Sequence, residues 1–405
     1  MGGDSGKPEI IFGLRKNVFF LGLVSLFNDF SNEMIQSVMP AFLAITMGVP
    51  PVGIGLIEGG ADAVASFLKI FSGWFSDKIG RRKLPALLGY ALSVSTRPFF
   101  AFASRFSEVF SLRIIDRVGK GFRDSPRDAL LAESADQKEL GKSFGYHRAM
   151  DAMGGMLGPL GAFLILPLVH GSYQKLFLVA FGVGLLTIFT FVFVKEIKRK
   201  DGTALPKITR LFFKEHRRFS FFILSIFVFG LGTLPITLML LKPIGLGVSI
   251  AAIPLLYFIY NVTFVGAAIP LGRLSDKFGK RKTIVIGFAM AILSYVILAR
   301  AEAAWSAILA FIVLGFYSAA TDGIERAFTA RLVNPQYLAT GEGLLNAAVG
   351  ISSLLSGLVG GLIWTISGPA AALYYAAALS AIGAMIFIIF NFSEFSRDEA
   401  YRSQF

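Results

Sequence analysis

Gly73 to Lys83 reads GWFSDKIGRRK, and Gly272 to Lys282 reads GRLSDKFGKRK. The two stretches lie 199 residues apart in a chain of 405 and agree at seven of eleven positions. Each follows one long apolar run and precedes another. A charged loop repeated at half the chain length implies two copies of one membrane unit, the mark of a transporter built from parallel repeats. The repeat extends further. RDSPRDALLAE, Arg123 to Glu133, stands 198 residues before TDGIERAFTAR, Thr321 to Arg331, so Asp124 aligns with Asp322 and Ala129 with Ala327. Gly145 with Gly343 and Ala149 with Ala347 keep that offset. The drift from 199 to 198 is one insertion or deletion.

Composition agrees with a membrane location. Hydrophobic residues make up 55% of the chain and charged residues 16%, where a soluble domain carries about a quarter charged. The 41 phenylalanines suit lipid-facing or cavity-lining helices. There is no cysteine, which excludes disulfides, thiolate chemistry and iron–sulfur ligation. His147, His170 and His216 are scattered without metal-ligand spacing, so neither a metal nor a cofactor is expected. The net charge of +13 raises nucleic acid as a partner. The basic residues sit largely in short loops between apolar runs, however, which is the pattern of membrane orientation, and no nucleic-acid partner is expected. No Walker loop G-x-x-x-x-G-K-[ST] occurs, so ATP is not the energy source within this chain, and no enzyme activity is expected.

A bilayer-crossing helix needs about 20 largely apolar residues. Twelve runs qualify, and they predict an all-α membrane protein with twelve transmembrane helices. Six lie near 18–46, 52–76, 84–104, 107–131, 143–169 and 173–194, and six near 219–241, 249–272, 283–301, 305–328, 343–366 and 370–392. The loops after the second and eighth runs and the polar stretch Lys195 to Arg218 hold clustered Lys and Arg. The opposite side has only single charges such as Arg105, Lys175, Lys242 and Arg300. By the excess of basic residues on the cytoplasmic side, both termini and the connector 195–218 are expected there. The first run has no small-residue cleavage site and reads as a retained helix. The expected organisation is residues 1–194, a connector at 195–218, and residues 219–405 with a short cytoplasmic tail.

On these residues the chain resembles the major facilitator superfamily over nearly its whole length. The Gly73–Asp77–Gly80–Arg81–Arg82 loop is similar to the family signature G-x-x-x-D-x-x-G-R-[RK] between spans 2 and 3. Arg117 to Gly121, RVGKG, resembles a second motif, R-x-x-x-G. Gly154 to Gly161, GGMLGPLG, resembles the antiporter motif G-x-x-x-G-P-x-x-G-G, with Gly161 one place early and Ala162 and Phe163 where the Gly pair stands. The resemblance implies two pseudo-symmetric six-helix bundles around a central cavity, working by alternating access.

Ionisable side chains inside the bilayer cost at least ~2.5–3.5 kcal/mol each on insertion scales, so they mark function. Most lie in the first half. Asp29 and Glu33 share a face of span 1, and Glu58 and Asp62 repeat that spacing in span 2. Arg97 lies in span 3, Arg113, Asp116 and Arg117 in span 4, and Arg148 and Asp151 in span 5. At 1.5 Å per residue Asp29 and Arg117 both fall roughly 15–18 Å deep. They can pair if spans 1 and 4 are neighbours, as they are in the family. A neighbouring guanidinium stabilises the charged carboxylate and burial alone the neutral one, so separating them drives proton uptake. Asp29, Glu33 and Arg117 are therefore the candidates for proton coupling; the bland alternative is a fixed ion pair. Arg148 and Asp151, at i, i+3, satisfy each other on the bland reading. Lys69, near the end of span 2, is expected to snorkel to the interface.

The substrate cavity is expected between the halves. From the first half it draws Glu58, Asp62, Arg97, Arg148 and Asp151, and from the second Tyr257, Asn261, Tyr317 and Asn346. Aromatic walls with few polar groups suit an amphipathic organic solute. The resemblance implies a gating latch at the cytoplasmic surface: Gly73, Asp77, Gly80, Arg81 and Arg82 with Asp124, Arg127 and Asp128, and in the second half Asp276, Lys280 and Asp322. Gly154, Gly158 and Gly161, with Pro159, leave one helix face smooth for close packing.

The expected function is a proton-coupled secondary transporter of the bacterial inner membrane. It exports a small organic solute, its partners being that solute, protons and the lipid bilayer, and it acts as a monomer. The rival readings are an uptake symporter for a small anion such as an organic acid, a non-transporting receptor or scaffold, and a metal-ion exporter.

Overall fold

The computed structural model describes residues 9–136, 139–197, 216–334 and 337–392. A two-residue hairpin, β1 (Ile10–Ile11) with β2 (Leu14–Arg15), precedes a chain of helices. These are α1 (Lys16–Ala41), α2 (Pro51–Ile79), α3 (Lys83–Phe100), α4 (Phe106–Ser134), α5 (Leu140–Leu168) and α6 (Tyr173–Phe191). Then come α7 (Arg217–Leu231), the short α8 (Ile236–Met239), α9 (Ile253–Phe278), α10 (Lys280–Ala299), α11 (Ala304–Leu332) and α12 (Leu338–Phe392). Helices suit such a chain because each satisfies its backbone N–H and C=O groups internally, where lipid offers no partner.

Among the described residues seven helical stretches are long and apolar enough to cross a membrane by length and composition. They are α5, α6, Arg217–Met239, Ile250–Phe278, α10, α11 and Thr340–Phe390. The chain is a multi-pass membrane protein, nearly all helical. The four long helices outside that set, α1 to α4, are those that carry most of the ionisable side chains singled out above. Two breaks differ from the sequence expectation. The seventh run ends as a helix at Leu231, because Pro235 holds the preceding residue out of helical geometry, and α8 follows. The eleventh and twelfth runs form one helical element interrupted at Gly368, whose φ of 86° only glycine adopts without strain, with Pro369 behind it.

The repeated loop is a glycine turn in both copies. Gly80 has φ 62° and Gly279 has φ 98°, so each lets one long helix end and the next begin within a few residues.

The chain divides into two compact units, Met1–Val38 with Leu68–Thr203, and Met39–Phe67 with Ala204–Phe405. Of the expected connector 195–218, residues 198–215 lie outside the described residues, as does the expected tail from 393. In the first unit α3 and α4 cross at Gly89 and Gly119, where a Cβ on one would meet the backbone of the other. Val18, Leu21, Tyr90, Leu130 and Phe191 fill the core beside that crossing. In the second unit Phe222, Phe288, Phe328 and Phe387 form an edge-to-face cluster, with Phe229 stacked on Phe288 at 4.0 Å between centroids.

Residues 39–67 belong to the second unit because the first half of α2 lies backbone to backbone against α12. A Cβ on Gly55 would collide with the carbonyl of Gly357, and one on Gly361 would meet the carbonyl of Pro51. The Gly55→Leu variant is therefore expected to push these helices apart. Overpacking costs about 1–3 kcal/mol or more, and no rotamer relieves a clash with backbone. A thermal midpoint equal to wild type in the same detergent would refute this.

Candidate functional site

The first unit places its ionisable groups along α4, with α1, α2, α3 and α5 supplying partners. Asp116 is buried between two guanidinium groups, Arg117 Nη1 at 3.3 Å and Arg113 Nη1 at 3.7 Å. Arg113 also donates from Nη2 to Gln36 Oε1 of α1 at 2.5 Å. Arg97, 2% exposed, donates from Nη2 to Asn28 Oδ1 at 2.7 Å and packs against Gly184 of α6. Arg123 donates to Ser93 Oγ at 2.9 Å and lies over the Tyr90 ring, 4.6 Å from its centroid. At the repeat offset of 198 the second half carries Phe311, Leu314 and Gly315 in place of Arg113, Asp116 and Arg117. The charged core thus belongs to one copy only.

Asp29 and Glu33 are half-buried on α1, and each accepts a bond from the asparagine before it. Asn28 Nδ2 donates to Asp29 Oδ1 at 2.9 Å, and Asn32 Nδ2 to Glu33 Oε1 at 2.9 Å. Their β-carbons face α5 at Gly154 and Gly158, where a Cβ would meet them, and Gly161 faces the Phe30 ring. The glycine face of α5, with Pro159 directly after Gly158, is thus the surface on which the two acids of α1 rest. Sequence depth paired Asp29 with Arg117. In the structure Arg117 has Asp116 beside it, and the basic charges acting on Asp29 include Arg123 and Lys120. Arg123 and Lys120 lie one to two turns along α4 from Arg117, and helix rotation, which depth does not capture, selects them.

On α5, Asp151 accepts from Ser25 Oγ and lies 3.6 Å from both Arg148 Nη1 and His147 Nδ1. Arg148 is largely exposed, whereas His147 is buried. His147 had no role in the sequence reading; its i, i+4 spacing to Asp151 was the available signal. Among the described residues no group of three His, Asp or Glu side chains is placed to hold a metal ion.

The two copies of the loop are wired differently. In the first unit Asp124 is buried, 2.9 Å from Lys69 Nζ and 3.8 Å from both Arg123 and Arg127. Lys69 therefore reaches inward to α4 rather than snorkelling outward. Arg127 also pairs with Asp128 at 2.9 Å. Ser125 donates to the Lys69 carbonyl at 2.9 Å, and Gly73 lies opposite Ser125. Arg82 is buried, donating to Ser76 Oγ at 2.9 Å and reaching Glu133 at 3.5 Å, whereas Arg81 is exposed. Glu196 caps α3 through the amides of Arg82 and Lys83 at 2.8–3.1 Å. The Asp77 side chain lies outside the described residues. In the second unit Asp276 pairs with Lys280 at 2.8 Å on the surface, and Asp322, the counterpart of Asp124, is exposed.

Also in the second unit, Glu58 is buried and Asp62, one turn on, accepts from Ser353 Oγ at 3.4 Å. Tyr257 stacks on Tyr260 at 5.8 Å, Tyr260 bonds Ser318 at 2.9 Å, and Tyr317 lies 5.7 Å from the Phe229 ring. Asn261 spends its amide on the Tyr257 carbonyl of its own helix at 3.1 Å. Asn346 is half-buried on α12.

The sequence profile described as Major Facilitator Superfamily matches residues 21–249 and 241–403. An uncharacterized MFS-type transporter of Methanocaldococcus jannaschii is 30% identical over 384 residues, covering 93% of this chain and 95% of its own. The quinolone resistance protein NorA of Staphylococcus aureus is 26% identical over 202 residues, 49% of this chain and 48% of NorA. Among solved structures, a POT family transporter in complex with a thioalcohol conjugated peptide superposes with a TM-score of 0.79. It is 12% identical, and the match covers 94% of this chain and 97% of that one.

Proposed function

Because this chain belongs to the major facilitator superfamily, we propose that it is a proton-coupled secondary transporter exporting a small organic solute by alternating access. In this reading twelve transmembrane helices form two six-helix bundles, residues 1–194 and 219–405, joined by a cytoplasmic connector at 195–218. The protein is a monomer in the plasma membrane with both termini cytoplasmic. The observation that carries coupling is the placement of Asp29 and Glu33. Two acids one turn apart on α1 rest on the glycine face of α5, and Asp29 lies in the field of Asp151 as well as of Arg123 and Lys120. A carboxylate whose basic neighbours approach in one state and withdraw in another takes up and releases a proton as the states exchange. The likeness to NorA favours export, and the stacked Tyr257 and Tyr260 offer an aromatic wall to an organic solute. Asp124, Arg127 and Asp128, with Asp77, Arg81 and Arg82, would form the latch that holds one of the two states.

A second reading, uptake of a small anion, draws on the buried Arg97, whose Nη1 has no hydrogen-bond partner. Counterflow with labelled organic acids separates the two. The main test is flux of a fluorescent quinolone in proteoliposomes. An imposed pH gradient should drive it, and an ionophore that collapses the gradient should stop it. Flux indifferent to the ionophore would remove proton coupling. The chain has no cysteine, so Thr203→Cys gives a single labelling site. An impermeant thiol reagent applied to intact cells should leave it unmodified, and modification would overturn the topology.

A further inference from the structure

The seam between α1 and α5 carries its ionisable groups in a line. The two helices meet level by level: Gly22 lies against Tyr146, Ser25 against Asp151, Asp29 against Gly154, and Glu33 against Gly158. Where α1 supplies an acid, α5 supplies a glycine. One turn nearer the start of α5 the roles exchange, with Asp151 on α5 and the small Ser25 on α1. His147 stands a further turn along, four residues before Asp151. Glu33, Asp29, Asp151 and His147 therefore follow one another at steps of one helical turn, about 5.4 Å each. Asp29 lies in the field of Asp151 across the seam, and Arg123 and Lys120 of α4 act on it as well.

His147 is 1% exposed. Its Nδ1 lies 3.6 Å from Asp151 Oδ2, so a shift of about 0.5 Å makes a hydrogen bond. Its Nε2 is buried and has no hydrogen-bond partner among the described residues. Buried polar atoms are almost always paired, so an unpaired one needs a reason. Packing is not that reason. At the offset of 198 the second copy carries Leu345 and Val349 in place of His147 and Asp151, and Leu345 is buried too. An apolar side chain thus fills the same helix position where the acid is absent. The charged groups acting on the imidazole are Asp151 and Arg148 of α5 and Asp124, Arg127 and Asp128 of α4. Tyr90 of α3 lies in the field of Asp151 and Arg127. Arg148 is 3.6 Å from Asp151 but 61% exposed, so water screens that pair. An imidazole takes a proton on one ring nitrogen and releases one from the other.

We propose that Asp151 and His147 are the relay through which Asp29 exchanges its proton with the end of the first unit where Asp124, Arg127 and Asp128 lie. Asp29 hands the proton to Asp151, and the Asp151 carboxyl gives it to His147 Nδ1. The imidazolium so formed releases its Nε2 proton to water on the side of the exposed Asp128, and rotation of the neutral ring resets it. Each hand-over spans one turn, within reach of a side-chain rotation or one bridging water. The relay rests on the coupling role proposed above for Asp29 and adds the path by which that proton arrives and leaves.

The test is proton uptake by the full chain in detergent, read by infrared spectroscopy after a light-triggered drop in pH. It needs no transported solute, so its failure is distinct from failure of the transport reading. The carbonyl band of protonated carboxyl groups should grow in wild type, and the part lost in Asp29→Asn belongs to Asp29. His147→Gln keeps a polar side chain but carries no proton. It should leave the final size of the Asp29 band unchanged and slow its growth about 100-fold, the lower end of what a positioned acid–base group contributes. His147→Ala should be as slow, and added imidazole should restore the rate, which a packing role does not predict. Asp151→Asn keeps an acceptor for Ser25 and should also slow the band, so the relay stays testable if the His147 variants fold poorly. Wild-type rates in His147→Gln and Asp151→Asn would overturn the relay and leave the coupling role of Asp29 standing. Slow growth that imidazole leaves unchanged would make His147 structural and overturn it as well. A band undiminished in Asp29→Asn would remove Asp29 as the proton site, and the relay with it.

Discussion

Asp116→Asn is expected to destabilise the protein by about 3–5 kcal/mol, the usual cost of removing one partner from a buried charge cluster. The carboxylate is 5% exposed and lies between Arg113 and Arg117, both also buried. An asparagine keeps the shape and one acceptor but removes the charge that offsets two guanidinium groups in a low-dielectric interior. The variant should unfold at lower temperature in detergent and insert with lower yield. Asp128→Asn is the contrasting substitution. That side chain is 43% exposed, so water screens its pairing with the buried Arg127, and its loss should cost far less than that of the enclosed Asp116. Equal thermal midpoints for the two variants would show that burial of Asp116 does not matter.

Asp29→Asn and Glu33→Gln should act on coupling rather than on folding. Each side chain is half-buried and already accepts from a neighbouring asparagine amide, and the amide replacements keep shape and an acceptor. Each replacement mimics a permanently protonated acid. At least one variant should keep exchange of substrate across proteoliposomes without a gradient and lose accumulation driven by a pH gradient. If both respond to the gradient as wild type does, the two acids are structural, and coupling must be sought at Asp151 beside His147 or at Glu58.

The repeat was readable because it is local. Glycines at 80 and 279 stand at the same place in two similar strings, and in both the backbone needs a positive φ there. The face shared by Asp29 and Glu33 was readable for the same reason, since 3.6 residues per turn fixes it without any neighbour. The smooth face of Gly154, Gly158 and Gly161 was visible too, but not what rests on it. That α1 sets its two acids against those glycines depends on contacts across more than 120 residues of sequence. The joining of residues 39–67 to the second unit left no trace in composition, because Gly55 and Gly357 are ordinary small residues in two apolar runs.

The sequence by itself determined that this chain is a helical membrane protein of two related halves. Bilayer thickness and backbone hydrogen bonding turn long apolar runs into helices whatever their neighbours are. It also determined that most deep charge lies in the first half. Which charges meet was decided only by the tertiary structure. Ion pairs form within about 4 Å, and one residue of helix rotation swings a side chain by about 100°. Depth alone matched Arg117 to Asp29, whereas packing set Arg117 beside Asp116 and drew Lys69 in to Asp124.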